Sequence, residues 1–367
     1  MSGVDAGFER SLGGGVIEAQ VRSDRLEADL NREPRSHRVL TGDRPTGPLH
    51  LGHFFGTLEN RVRLQELGVE LLVLVADYQT IIDRDSPASL PADVDALVAD
   101  YLAVGIDPAR ATIFAHSQVE ALNQLVVPFL SLVSVAELSR NPTVKDEMAV
   151  SGRVSMSGLM FAYPVHQAAD ILFCKATAVP VGKDQLPHLE LTRTIARRFN
   201  HRYSVGVPTF PEPGALLSDA PALLGIDGEK MSKSRGNAIA ISATADQTAR
   251  LIALTKTDAD RRITYDPINR PEVANLVLLA ALCQRREPHA IAAEIGDAGS
   301  AALKRLVTDA VNERFREIRV RRADLAKDRG YLREVLRDGN QHARAIADQT
   351  LKEVQQLMHT DPGQVTS

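Results

Sequence analysis

Residues 38–53 read RVLTGDRPTGPLHLGH, and the order of residue types in that stretch decides the fold class. Val39-Leu40 is a short apolar pair that reads as a buried strand. The run Thr41–Pro48, with Gly42, Pro45, Gly47 and Pro48, reads as a turn. Leu51, Phe54, Phe55, Leu58 and Val62 then fall on one helical stripe. Further along, Leu71–Ala76 is an unbroken apolar run of the kind covered on both faces. Val94–Leu102 has helical spacing and Ala111–Ala115 reads as the next strand. Leu122–Leu138 and the polar stretch to Gly158 read as a helical insertion, at about residues 122–160. Ala168–Phe173, Ala178–Val181 and a helix over Pro187–Phe199 resume the α/β pattern. Strands alternating with helices predict a Rossmann-type, doubly wound parallel sheet. After Ile241 the strand signal stops, and 245–260, 272–284, 300–327 and 331–358 all have helical spacing. Three units are therefore expected: a mobile N-terminal extension (1–37), an α/β domain (38–240) and a separate all-helical domain (241–367).

Composition narrows the function classes. The formal charge is −4 over 367 residues, which excludes a chain coated with cations for nucleic acid. Two cysteines, Cys174 and Cys283, cannot form a disulfide framework or a four-thiolate metal site. The apolar runs are far shorter than the roughly 20 residues of a membrane span. The first residues carry Asp5 and Glu9 and no apolar core of a signal peptide, so a cytoplasmic location is expected. Tryptophan is absent altogether.

Two segments carry chemistry. His50-Leu51-Gly52-His53 stands where a strand hands over to a helix, which is where an open α/β sheet places a nucleotide. Glycine lets the backbone approach a phosphate or a ring, and a helix N-terminus favours anions. Histidines at i and i+3 share a helix face, so both can donate to one phosphate group. Zinc fits less well, because no third ligand lies nearby in sequence. Lys230-Met231-Ser232-Lys233-Ser234 lies within 225–237, flanked by Gly228 and Gly236, and reads as a mobile loop dense in donors for a polyphosphate. Either segment alone carries little weight. Together, one at the first strand–helix turn and the other at the end of the α/β part, they form a specific pair.

Carrying that pair, the sequence resembles the class I aminoacyl-tRNA synthetases. Further segments match: TGDRPTG (41–47), YPVHQAAD (163–170), PVGKDQ (180–185), HLELTR (188–193) and ITYD (263–266). Together they most resemble the tryptophanyl-tRNA synthetases, over about residues 38–355. The resemblance implies a tryptophan–tRNA ligase. In such an enzyme the carboxylate of L-tryptophan attacks the α-phosphate of ATP, pyrophosphate leaves, and the aminoacyl group passes to the 3′ end of tRNA(Trp). Catalysis of that kind is mainly positioning and charge stabilisation.

The resemblance also implies roles. His50, His53, Lys230 and Lys233 would act on the phosphates, with Arg44, Thr46, Gly52, Gly182, Asp184, Met231, Ser232 and Ser234 completing the ATP site. Leu40, Gly42, Gln79, Tyr163, Gln167, Asp170, Val181 and Gln185 would hold the amino acid, with Asp170 accepting the indole N–H. Mg2+ would arrive with ATP, and no dedicated protein metal site is expected. A homodimer formed through the insertion, with one tRNA bridging both subunits and no membrane partner, is implied as well. If tryptophan is the substrate, synthesis of this chain consumes none of it.

Three positions depart from the family pattern. Gln79 stands where bacterial members commonly carry His, Gln167 where many carry Met, and Arg44 where Gln is frequent. The two glutamines re-line the amino-acid pocket and suggest a divergent or auxiliary, inhibitor-tolerant copy. They also raise the alternative of a tyrosyl-tRNA synthetase, since those enzymes share the fold and often combine Gln and Asp in the matching segment. A small-molecule adenylyltransferase without tRNA activity and a non-catalytic paralogue are the remaining alternatives. Between Lys304 and Arg333 ten Lys and Arg stand against five Asp and Glu, among them Arg314, Arg316, Arg319, Arg321 and Arg322. That cluster reads either as a track for tRNA phosphates or as a solvated helix with internal ion pairs.

Overall fold

The computed structural model describes residues 5–83, 89–141, 157–217 and 222–361, with side chains left aside for 5–17, 82–83 and Lys183. Among the described residues five strands form one sheet: β1 (Arg38–Asp43), β2 (Glu70–Val75), β3 (Ala111–Ala115), β4 (Ala178–Val181) and β5 (Gly214–Leu217). Their order is β3-β2-β1-β4-β5, and every neighbouring pair is parallel. The order reverses between β1 and β4, so the crevice at their carboxyl ends is where such a sheet binds its ligand. β1 runs two residues past Thr41, so the turn that follows it is shorter than expected from the glycines.

Period-two alternation sorts the strand side chains into two cores. Val39, Leu71 and Val73 face one cluster, while Leu40, Leu72 and Leu74 face the other. Ala168–Phe173, expected within the α/β pattern, is the last turn of a helix, Gly158–Leu172, and its exit. That helix lies on the second face, with Val165, Ala168, Ala169 and Ile171 buried there.

The expectation of a separate helical domain is corrected. Helices Pro271–Gln284 and Ser300–Leu325 put Val277 and Phe315 into the first core, and helix Arg329–Leu357 puts Ala343, Ala347 and Val354 into the second. Phe315 stacks edge-on against Phe54, with ring centroids 4.7 Å apart. On the β3 edge the last helix comes so close that a Cβ at Gly339 would lie 1.9 Å from the Ile113 carbonyl oxygen, so only glycine fits. Next to it, Asn340 Oδ1 accepts the Ala115 N–H at 2.9 Å. The C-terminal helices complete the α/β layers because they add to the cover of both sheet faces.

The expected mobile extension is also corrected where side chains are described. Residues Asp5–Arg32 form a helix whose second half docks against β5. Leu30 is fully buried, and Ser23 Oγ accepts the Leu217 N–H at 2.8 Å. Glu27 pairs with Arg63 at 2.6 Å. The physical reason is that β5 is an edge strand, whose outer backbone groups need a partner.

Candidate active site

The histidine signature begins the first helix after β1. His50 N–H donates to His53 Nδ1 at 3.2 Å, and the two rings lie 3.7 Å apart. Gly52 sits against the His50 ring, with a Cβ there only 3.0 Å from the ring atoms. Burial, with Lys233 close by, pulls His50 down to about 3 and His53 down to about 4, so both rings are neutral near pH 7. His53 accepts at Nδ1, so its proton rests on Nε2. The helix continues through a π-helical turn, Phe54–Leu58, into Glu59–Leu67. Beneath the signature lies a buried ion pair: Arg61 Nη1 meets Asp43 Oδ2 at 2.6 Å, and the Tyr101 hydroxyl donates to the same oxygen at 2.8 Å. Burial alone would push the Asp43 carboxyl up, but Arg61 and its neighbours hold it well below the usual carboxylate range.

The lysine loop reaches this signature through the backbone. Leu51 N–H donates to Ile239 O at 3.0 Å and Ile241 N–H to Leu49 O at 2.9 Å, a short antiparallel bridge. Lys233 Nζ donates to Gly47 O at 2.9 Å, and burial lowers the pKa of its ammonium. Met231 is buried beside Gly52 rather than open to a ligand, while Lys230 and Ser234 are exposed and Ser232 is half-buried. The expected mobile loop is in fact braced. The buried Asn237 amide donates to Asp227 Oδ1 at 2.8 Å and to Lys230 O at 3.1 Å, and its carbonyl oxygen accepts the Ser232 N–H at 2.8 Å. Arg44 is exposed, and Thr46 half-buried, in the turn after β1.

The proposed amino-acid residues gather at the other end of the crevice. Asp170 is 1% exposed; its Oδ1 lies 3.3 Å from His116 Nδ1, and its Oδ2 is buried with no hydrogen-bond partner among the described residues. Gln79 is buried and accepts weakly from the Tyr163 hydroxyl at 3.5 Å. Gln167 Oε1 accepts from His188 Nδ1, which anchors one glutamine expected to line the pocket. His188 is drawn down to about 4 by burial, against the pull of Asp184, and its Nε2 has no partner among the described residues. Leu40 belongs to the core cluster that includes Ala168 and Ala169, with Val181 packed at its margin. Gly42 is exposed near the end of β1. After β4, Gly182 and Asp184 are exposed, and Gln185 Nε2 donates to Asp184 Oδ2 at 3.2 Å.

His116 is the residue sequence reading missed. It follows β3 directly, at the carboxyl end of a buried strand, and that position was its one available signal. The arginine cluster, in contrast, is largely not a phosphate track. Arg314 pairs with Glu59 at 2.6 Å, Arg322 with the buried Asp100 at 3.0 Å, and Arg319 donates to Thr248 Oγ1 at 2.9 Å. Arg321 donates to Ala103 O at 2.9 Å, and Arg316 stays on the solvent face beside Glu313. Arg314, Arg321 and Arg322 staple the helix Ser300–Leu325 to the helices that carry Glu59, Asp100 and Ala103.

Comparison with known proteins gives the same picture. The sequence matches the family described as tRNA synthetases class I (W and Y) over residues 32–316. It is 41% identical over 331 residues to the tryptophan–tRNA ligase of Streptococcus pyogenes serotype M1, spanning 87% of this chain and 97% of that one. The tryptophan–tRNA ligase of Treponema pallidum (strain Nichols) is 39% identical over 341 residues, spanning 88% and 96%. Among solved structures, tryptophanyl-tRNA synthetase from Campylobacter jejuni, complexed with ADP and tryptophan, aligns with a TM-score of 0.76 at 29% identity, covering 88% of this chain and 99% of that one. Tyrosyl-tRNA synthetase from Archaeoglobus fulgidus shares the fold, with a TM-score of 0.62 at 22% identity over 80% of this chain and 92% of that one. With both signatures stitched together at the switch point of a parallel sheet, this chain belongs to the class I tRNA synthetases of the W and Y type.

Proposed function

We propose that the chain is a tryptophan–tRNA ligase, which activates L-tryptophan with ATP and transfers it to tRNA(Trp). The observation that carries the amino-acid choice is the buried, unpartnered Asp170 Oδ2. An orphaned acceptor in the core costs about 1–3 kcal/mol, a cost that a ligand's indole N–H removes. A substrate lacking that donor leaves the cost in place, and sites of this kind discriminate strongly. In the first step a tryptophan carboxylate oxygen bonds to the α-phosphorus, and the bond to the pyrophosphate oxygen breaks. In the second, a ribose hydroxyl at the 3′ end of tRNA attacks the aminoacyl carbonyl and AMP leaves.

His53, protonated at Nε2, serves as a neutral N–H donor to phosphate oxygens, while the positive charge comes from Lys230 and Lys233. Mg2+ enters as the companion of ATP. Gly52, Gly182 and Asp184 flank the nucleotide, with Tyr163 and Gln185 on the substrate's amino group. A homodimer through the insertion is supported by Val127 and Val135, which are 72% and 69% exposed on its short helices. Residues 142–156 of that insertion lie outside the described residues. We place the activity in the cytoplasm, in keeping with two free, buried cysteines. Anchoring of Gln167 by His188 and of Gln79 by Tyr163 favours a re-lined pocket, and hence a copy tolerant of tryptophan-mimicking inhibitors.

Pyrophosphate exchange into ATP, run separately with tryptophan, tyrosine and the benzothiophene analogue of tryptophan, tests the reading. Exchange should follow tryptophan. An enzyme that prefers tyrosine, or that treats the N–H-free analogue as tryptophan's equal, overturns the assignment. Asp170→Ala should raise KM for tryptophan by about 10- to 100-fold while sparing KM for ATP.

A further inference from the structure

We propose that His116 is a positioning residue that presents Asp170 to the substrate's ring N–H and thereby sets the pocket's discrimination. The proposal rests on the reading of Asp170 given above and adds what makes that carboxylate a directional acceptor.

His116 is fully buried at the end of β3, between the Asp77–Gln79 turn and the helix that carries Asp170. Its two ring nitrogens face different partners. Nε2 lies 2.8 Å from the backbone nitrogen of Tyr78. A backbone amide can only donate, so Nε2 must offer its lone pair, and the ring proton is left on Nδ1. Nδ1 lies 3.3 Å from Asp170 Oδ1 and therefore donates to it. One carboxylate oxygen of Asp170 is thus occupied, which fixes the plane of the group, while Oδ2 keeps its acceptor capacity for a donor brought by the ligand. Asp77 Oδ1 also lies 3.3 Å from Nε2, but it already accepts the Tyr78 and Ser117 N–H groups, each at 3.1 Å, while Oδ2 accepts the Ser117 hydroxyl; the shorter 2.8 Å approach of the Tyr78 amide assigns the Nε2 lone pair.

His116, His166 and Asp170 also have the spacing of a cation site, with ligand atoms within 4.8 Å of one another. The hydrogen bonds speak for a proton there instead. A metal on Nδ1 of His116 would have to displace the proton that the Tyr78 amide fixes at that atom. The chain Tyr78 N–H to His116 to Asp170 also ties two walls of the pocket together, because Gln79, next in sequence, meets Tyr163 on the same helix as Asp170.

The test compares wild type, Asp170→Ala, His116→Phe and His116→Gln in pyrophosphate exchange with tryptophan and with its benzothiophene analogue. Phe fills the volume without a donor, whereas Gln can accept from Tyr78 through its carbonyl and donate to Asp170 through its amide. His116→Phe should raise KM for tryptophan by about 10-fold or more, with kcat and KM for ATP little changed. Its KM for the analogue should stay near the wild-type value, so discrimination collapses; His116→Gln should restore most of it. Equal losses on both substrates, or no loss on tryptophan, overturn the proposal. If Asp170→Ala abolishes discrimination and His116→Phe does not, only the role of His116 fails. If wild type itself does not discriminate, the reading of Asp170 fails as well. Should His116→Phe not fold, 15N spectra of histidine-labelled wild type, assigned with His116→Gln, give the tautomer: a proton on Nε2 of His116 overturns the proposal.

Discussion

The two ends of the crevice are built on opposite principles. At the phosphate end, positive charge is delivered from a distance: Lys233 arrives on a loop 186 residues beyond the Gly47 carbonyl it touches, and Lys230 stands in solvent. The histidines there are neutral, and a buried Arg61–Asp43 pair stiffens the helix that carries them. At the amino-acid end no lysine or arginine takes part in the contacts described. A relay of hydrogen bonds from the Tyr78 N–H through His116 to Asp170 passes through the core and stops at an oxygen without a partner among the described residues. On the proposed reading, phosphate is held by charge that loops can supply, whereas a ring N–H is read by a single acceptor that only a packed interior can aim.

Five measurements would break or sharpen that contrast. The largest effect belongs to Arg61→Ala, which strands the Asp43 carboxylate under the phosphate end. Breaking such a buried pair costs about 3–5 kcal/mol, to be read from urea unfolding. Discrimination between tryptophan and its analogue should persist in whatever protein stays folded. Next comes Lys233→Ala, for which exchange should fall by about 10²–10³-fold while tryptophan binding by calorimetry is retained. Near-normal adenylate formation would remove the lysine loop from the mechanism.

Acidity offers a smaller effect that touches both ends. His50, His53 and His188 have folded values of about 3 to 4 against 6.5 for a free ring. Between pH 6.5 and about 4 the unfolded chain therefore binds protons that the folded chain refuses, and stability must fall as pH falls through that window. Melting temperatures at pH 7, 6 and 5 should decline, with a shallower slope in His50→Asn and in His188→Asn alike. A flat profile would mean that the rings are not held neutral. Smallest of all, Arg316→Ala should change neither exchange nor stability by more than about 0.5 kcal/mol. Arg322→Ala, which uncovers the buried Asp100, should lower stability clearly.

The same contrast explains what was legible in the sequence. The phosphate end is written in two contiguous segments, 50–53 and 230–234, so its parts can be read before their meeting is seen. Strands β1 to β4 are equally legible as apolar runs between turns. The amino-acid end draws on residues 77–79, 116, 163–170 and 188, which only the topology brings together. Nothing about an isolated His116 marks it out. β5 escaped notice because four residues after Pro211 and Pro213 give too little pattern. The arginines of 314–322 misled for a different reason. Charge density in a sequence does not say which way a helix face turns, and here most of it turns inward onto Glu59, Thr248, Ala103 and Asp100.

The seating of Gly339 and Asn340 on β3 bears on how the chain is made. Ala115 leaves the ribosome 225 residues ahead of the asparagine that satisfies its amide, and until then that side of the sheet lacks this cover. An uncovered parallel edge is a template for pairing with another chain. Synthesis therefore passes through a long interval in which the first half of the enzyme needs shielding by a chaperone or by speed. Nascent chains halted before Gly339 should aggregate, while those released just beyond helix 329–357 should not.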